Sequence, residues 1–322
     1  MAVYTEVDDD ALAEFLAEFD IGDVLAFKGI AEGVENSNYL LATSKAQYIL
    51  TLYEKRVDPG DLPFFLGLME HLSAQGLTCP TPIHRRDGTA LGVLAGRPAA
   101  IVSFLEGLWV RRPTPRHCHL LGAAMGRLHL AGLDFTGHRR NALGLEDWRP
   151  LFEKFRGRAD AIQVGLSETI EQELEELALA WPYDLPTGVI HADLFPDNVF
   201  FRGDALSGII DFYFACNDAF AYDLAIALNA WCFEPNYAYN LTRGQALIAG
   251  YQSVRPLQQA EAEAMPALAR GAALRFLLTR AYDWINTPPD AFVRPHDPRA
   301  FLRRIWAHRA MTNPRDYGFT AS

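Results

Sequence analysis

The sequence lacks any uninterrupted apolar run of about 18 residues, so nothing in it reads as a membrane-spanning helix. Its start, MAVYTEVDDDALAEF, is acidic where a secretory signal needs a basic segment and an apolar stretch, and a cytoplasmic protein with no membrane partner is the expectation. Cysteine is scarce: Cys79, Cys118, Cys216 and Cys232 stand far apart without a C-x-x-C pair, which leaves neither a disulfide framework nor a zinc knuckle and suggests buried thiols. Basic charge is in deficit, with 29 Lys and Arg against 40 Asp and Glu and a net charge of -11, a poor match for nucleic acid or an anionic membrane. There is no Gly-Lys dipeptide, which excludes a Walker A phosphate loop, and neither H-E-x-x-H nor G-x-S-x-G occurs. GIAEGVENSNY, with two glycines, is no dinucleotide fingerprint, and no internal repeat or low-complexity segment is present.

What remains is a chain of 322 residues, half of them hydrophobic, enough for a large core in one big domain or two lobes. DDDALAEFLAEFD carries acidic residues ahead of Leu12, Phe15, Leu16 and Phe19 at helical spacing, the pattern of a capped amphipathic helix. VLAFKGIAEGVENSNYLLAT and QYILTLYE read as strands with turns. DLPFFLGLMEHLSAQG reads as a helix stopped at Gly76, and the segment from Cys79 to Gly107 as further strands. Beyond Pro115 helical periodicity takes over, in RHCHLLGAAMGRLHLAG, WRPLFEKFRGRADAI, SETIEQELEELALAW and again over residues 240–312. Sheet first and helices afterwards, without a βαβ alternation, predicts an α+β protein in two lobes. The N-terminal, mainly antiparallel lobe is expected over residues 1–105 and a larger helical lobe over 106–322.

Residues 188–201, GVIHADLFPDNVFF, hold the densest chemistry. Short β-type runs flank the loop from His191 to Asn198, and a turn at Arg202–Asp204 precedes the run LSGII, which ends at Asp211. The expected order is loop, strand, turn, strand, which carries Asp211 back toward Asn198. Asp193, Asn198 and Asp211 thereby form an oxygen-rich set suited to magnesium, which keeps water and phosphate oxygens in its remaining positions. Any one of these residues alone would be an ordinary turn former.

HADLFPDN followed by IIDF resembles the catalytic loop and metal-binding aspartate of the kinase fold, in the aminoglycoside-phosphotransferase-like branch, where the loop reads H-x-D-x-x-x-x-N. The resemblance implies a two-lobed protein-kinase-like fold whose N-terminal lobe binds ATP, with Asp193 as the base that accepts the substrate hydroxyl proton. It implies that Asn198 and Asp211 hold Mg2+ on the ATP phosphates, that His191 is loop scaffold, and that Asp223 of the DLA motif ties the loop down from beneath. GIAEGVENSNY, YILTLYEKR, LPFFLGLMEHL, IVSFLEG and FAYDLAIALNAW, in this order, are together similar to the homoserine kinases of that branch, enzymes of threonine biosynthesis. That likeness, running from the first helix to about residue 312, implies transfer of the ATP γ-phosphate to the side-chain hydroxyl of L-homoserine.

The sequence departs from the kinase pattern on its third strand. By the resemblance a lysine belongs where Thr51 stands, two residues after Ile49, whose side chain is expected to face the adenine. The following helix has no glutamate in its first two turns, so both halves of the usual ion pair are missing. Lys28, Lys55, Arg56 and the 35–38 turn, with Asn36, Ser37 and Asn38, are candidates for steadying phosphate, the turn through its backbone N–H groups. Phe104 and Leu105, after the strand IVS, are expected beside the nucleotide. A zwitterionic acceptor needs a cation for its carboxylate and acceptors for its ammonium. Arg275, Arg280 and Asp283 on a late helix, and Asn217 and Asp218 beyond the metal aspartate, are candidates. His129, on an otherwise apolar helix, reads as packed or loop-supporting. Two alternatives stay open: a kinase for choline, an aminoglycoside or another amino alcohol, and a catalytically silent kinase-like binding protein. The oligomeric state is not legible.

Overall fold

The structure is a computed structural model that describes residues 5–30, 36–54, 57–288 and 294–320. Lys55, Arg56 and the first residue of the 35–38 turn lie outside them. In chain order the elements are α1 (Asp9–Leu16), β1 (Val24–Gly29), β2 (Ser37–Thr43), β3 (Gln47–Leu52), α2 (Leu62–Ala74), β4 (Leu91–Leu94), β5 (Arg97–Ser103), β6 (Leu108–Trp109) and α3 (Pro115–Ala131). There follow α4 (Leu145–Glu153), α5 (Leu166–Ala180), β7 (Thr187–Ile190), β8 (Val199–Arg202), β9 (Ala205–Ile209), β10 (Cys216–Ala219) and α6 (Phe220–Trp231). The chain then runs through α7 (Leu241–Gln252), α8 (Gln259–Glu263), α9 (Met265–Asn286), α10 (Arg299–Ala310) and α11 (Pro314–Tyr317). The α+β class follows, with an antiparallel sheet first and helices after it. Among the described residues no helix is long and apolar enough to cross a membrane.

Two compact units divide the chain. The first runs to Gly107 and also includes Phe135–Arg139 and Ser207–Tyr213. Its sheet has the order β1-β2-β3-β5-β4, each described neighbour antiparallel. The Asp8 side chain caps α1 through the Ala11 amide at 2.8 Å, and acidic Asp9 and Asp10 suit the positive end of the helix. Leu12, Phe15 and Leu16 of α1 enter one core with Leu41, Leu50, Leu52, Ala99 and Ile101 from the strands. α2 starts on Asp61 with proline in its first turn and ends ahead of Gly76, whose φ of 85° only glycine adopts freely.

The second unit holds Leu108–Asp134, Arg140–Leu206 and the chain from Phe214 onward. Thr114 caps α3, and Pro115 occupies its first position. α3 and α7 pack with glycines at the contact. A Cβ on Gly122 would collide with the Leu247 carbonyl, and one on Gly250 with that of His119, so the two backbones approach where side chains are absent. The segment WRPLFEKFRGRADAI is helical to Glu153, with Pro150 inside, and then tightens into 3₁₀ turns over Arg156–Ala161. Gly157, a poor helix former, lies in the tightened stretch. β7 pairs antiparallel with β10, with Asn217 opposite Val189 and Asp218 opposite Gly188, and β6 pairs with β8. The β7–β10 ribbon and the break of the 240–312 region into separate helices had no periodic signature.

Candidate active site

The loop between β7 and β8 is held by the second unit's helices. His191 and Ala192 are buried, and their backbone N–H groups donate to the two carboxylate oxygens of Asp223, at 3.0 Å to Oδ2 and 2.8 Å to Oδ1. Asp223 sits in the first turn of α6 and is itself fully buried. Its Oδ2 also accepts from His129 Nε2 at 3.0 Å, and His129 Nδ1 lies 2.7 Å from the Tyr251 hydroxyl. Arg255 donates to that hydroxyl oxygen at 3.2 Å and pairs with buried Glu261 at 2.9 Å. His129 thus spans Asp223 and Tyr251, with one ring nitrogen on each. Burial alone would push the Asp223 carboxyl up; the His129 hydrogen bond, the charges of His129 and His191 and the His191 amide outweigh it and hold the group below its ordinary value.

Further contacts complete the loop. Arg275 donates from Nη1 to the Ala192 carbonyl at 2.5 Å, and Trp231 donates from its indole to the Leu194 carbonyl at 2.7 Å. Ala192 takes a φ of 61°, a left-handed conformation that alanine adopts only at a cost of about 1–2 kcal/mol. This strain stands beside the half-buried Asp193, as backbone outliers at chemical sites do. The Asn198 carboxamide donates from Nδ2 to the Asp193 carbonyl at 2.9 Å and to Asp193 Oδ2 at 3.1 Å. That leaves Asn198 Oδ1 as the oxygen available to an outside ligand, while the carboxylate of Asp193 keeps one fixed orientation.

The other sequence candidates fall as follows. Asp211 belongs to the first unit and also takes a left-handed φ, of 65°. Also in that unit, the hydroxyl of buried Thr51 donates to Asn38 Oδ1 at 2.8 Å, and Ile49, on β3, is half-buried. Ser37 donates to Glu54 at 2.7 Å, and Asn36 Oδ1 accepts from the Glu54 amide at 3.2 Å. Glu54 in turn lies 3.2 Å from Arg97, so an ion pair does exist in this unit, just past the end of β3 on which Thr51 stands in place of the lysine. Phe104 is exposed and Leu105 half-buried, both just past β5, and Lys28 is exposed on β1. In the second unit Asp218 accepts from Asn141 Nδ2 at 2.7 Å and Asn217 sits beside it on β10, while Asp283 and Arg280 lie on α9. Sequence reasoning missed Tyr251, Arg255, Glu261 and Trp231. The polar residue in the apolar stripe of α3, His129, was the one signal pointing toward the first three.

A half-buried carboxylate held by an adjacent carboxamide, on a loop clamped from beneath by a buried aspartate, within a fold of antiparallel sheet followed by helices, defines a kinase-like phosphotransferase. The profile described as the phosphotransferase enzyme family matches residues 26–257, and the chain belongs to that family. It is 60% identical to the homoserine kinase of Brucella anthropi over 318 residues, covering 99% of this chain and 98% of the relative. It is 62% identical to the homoserine kinase of a Methylobacterium species over 320 residues, covering 99% and 100%. Among solved structures, an amicoumacin kinase in complex with AMP-PNP and Ca2+ shares the fold at a TM-score of 0.73 and 17% identity, covering 95% of both chains. A microcompartment-associated aminopropanol kinase does so at 0.68 and 20%, again over 95% of both.

Proposed function

We propose that this chain transfers the γ-phosphate of ATP to the side-chain hydroxyl of L-homoserine, yielding O-phospho-L-homoserine for threonine biosynthesis in the cytoplasm. The observation that carries the reading is identity of about 60% with homoserine kinases along the whole chain, joined to an intact, clamped catalytic loop.

Asp193 is the base in this reading. Its Oδ2 is oriented by Asn198, and its position on a strained, braced turn keeps it fixed while the acceptor hydroxyl comes within hydrogen-bond reach. Asn198 and Asp211 are the magnesium ligands. The donor set fits: Asn198 commits its N–H2 to Asp193 and keeps its carbonyl oxygen for a cation, and a carboxylate with a carboxamide leaves room for the waters and phosphate oxygens that Mg2+ retains. When bound, the ion neutralises charge on the ATP phosphates. Ile49, Thr51, Phe104, Leu105 and the turn at Asn36, Ser37 and Asn38 are assigned to the nucleotide, and Arg275, Arg280, Asp283, Asn217 and Asp218 are the acceptor-side candidates. His191 and Asp223 support the loop.

The test is ADP release by purified protein with magnesium ATP across homoserine, serine, threonine, choline and kanamycin, repeated with Asp193→Asn. Homoserine should have the highest kcat/KM, and the variant should lose at least about 10²-fold in kcat with ATP affinity nearly intact. Preference for choline or kanamycin, or a variant with wild-type turnover, would overturn the reading.

A further inference from the structure

The second unit pairs most of its enclosed arginines with acids. Arg270 meets Glu173 and Glu176 at 2.8 and 2.6 Å, Arg309 meets Glu173 at 2.5 Å, and Arg255 meets Glu261 at 2.9 Å. Three arginines break this rule: Arg275, which gives Nη1 to the Ala192 carbonyl while its Nε has no acceptor, and, together at one place, Arg280 and Arg304. The guanidinium of Arg280, from α9, lies 4.6 Å from the centroid of the Phe301 ring, and that of Arg304, from α10, lies 4.4 Å from the same centroid. Among the described residues neither has an ion-pair partner, and Nε and Nη1 of Arg304 are fully enclosed with no acceptor at all. Aromatic faces offset part of the cost of a buried cation but satisfy none of its N–H directions.

The electrostatics agree with the geometry. Burial pushes both guanidinium groups down to about 10, and the charge of Arg280 adds to the effect on Arg304. Of the acids that act against this on Arg280, Asp193 has the largest effect, followed by Asp197 and Asp297. The ring of Phe195, two residues beyond Asp193, packs on Phe276 at 4.8 Å and Phe301 at 6.4 Å, and Arg280 also lies 5.8 Å from its centroid. The two unpaired cations are therefore seated on the same aromatic cluster as the catalytic loop. A buried cation without a counter-charge is a standing cost unless a ligand supplies one.

We propose that Arg280 and Arg304 together form the receptor for the α-carboxylate of the acceptor amino acid, presenting it through Phe301 with its hydroxyl end toward Asp193. This assignment rests on homoserine being the acceptor. It makes Arg304, on α10, a specificity-determining residue of the reaction. Arg275 falls to a different role, since its Nη1 already braces the Ala192 carbonyl. A guanidinium's planar fork matches a carboxylate, and two of them around one anion discriminate against acceptors that lack it.

The test uses the full-length protein with Arg280→Met and Arg304→Met, each with Arg→Lys as the conservative partner. Each methionine variant should raise KM for L-homoserine by about 10²-fold while the KM for ATP stays within about twofold, and lysine should recover part of the loss. Without ligand, the melting temperature of Arg304→Met should equal or exceed that of wild type, because an unpaired buried charge has been removed. Added L-homoserine should raise the melting temperature of wild type and fail to raise that of the methionine variants. Unchanged homoserine KM in both methionine variants overturns the proposal. So does a parallel rise in both KM values, which assigns the guanidiniums to nucleotide phosphate, or a lowered melting temperature with wild-type response to homoserine, which makes them structural. Failure of the underlying reading shows itself differently, as wild-type protein inert toward homoserine.

Discussion

At the scale of single residues, Thr51 is the position where expectation and structure bear most directly on each other. Its hydroxyl is engaged with Asn38 Oδ1 inside the first unit, and its side chain is 2% exposed. Thr51→Val keeps the shape and removes one buried hydrogen bond, at a cost of about 1 kcal/mol in stability. No charge near the phosphates is lost, so kcat should stay within about tenfold of wild type. Denaturant unfolding and steady-state turnover on the same preparation check both halves, and a collapse of turnover with stability intact would mean that Thr51 itself steadies the phosphates, beyond lining the nucleotide site. The polar residues of the catalytic loop could be read from sequence because H-x-D-x-x-x-x-N is local. Arg304 could not, because nothing in the spacing of RAFLRRIWAHRA marks which of its arginines will lack an acid once α9 and α10 are packed.

At the scale of elements, the helices α6, α9, α10 and α11 are tied together through one buried histidine. His308 of α10 bridges Asn229 Oδ1 on α6 at 3.0 Å and the Tyr317 hydroxyl on α11 at 3.1 Å, and Asn229 donates onward to the Ala269 carbonyl of α9 at 3.0 Å. Burial first, then the charges of Arg304 and Arg270, pushes the imidazole from 6.5 down to about 3. The folded value thus lies below the unfolded one, so the unfolded chain binds the extra proton. Stability from this group is complete above pH of about 6.5 and falls by about 1.4 kcal/mol per pH unit as pH drops toward 3. Thermal melts from pH 8 to 4.5 should show that decline, and His308→Asn should flatten it while lowering the plateau. Periodicity in the sequence reported α10 as a helix but gave no account of this bridge, whose partners lie 79 and 9 residues away.

At the scale of the whole molecule, the progression from sheet to helix was legible because periods of two and of 3.6 residues survive in any single sequence. The composition of each compact unit was not. Phe135 packs on Phe64 at 5.5 Å and on His71 at 5.4 Å, and Arg139 pairs with Asp61 at 2.6 Å over the ring of Phe65. Tyr213 shares a hydrogen bond of 3.1 Å with Tyr53 and packs edge-on to Phe65. These late segments complete the first unit's surface, and isolated aromatic residues in short loops carry no pattern that announces it. A fragment ending at residue 107 is therefore expected to lack cooperative unfolding and to bind ANS, with near-ultraviolet circular dichroism much weaker than the intact chain's share. A fragment that melts in one sharp transition would show that the inserted segments are dispensable.

The clamp that Asp223 places on the loop has a consequence in time as well as in geometry. Amides in loops usually trade their hydrogen for deuterium early, since a small local opening exposes them. The His191 and Ala192 amides are bound to a carboxylate that is fully buried and held by His129, so freeing them means breaking into α3 and α6 together. Their exchange should belong with the slowest helical amides of the second unit, later than that of the outer helix α1, and should report the global opening of that unit instead of a local flicker.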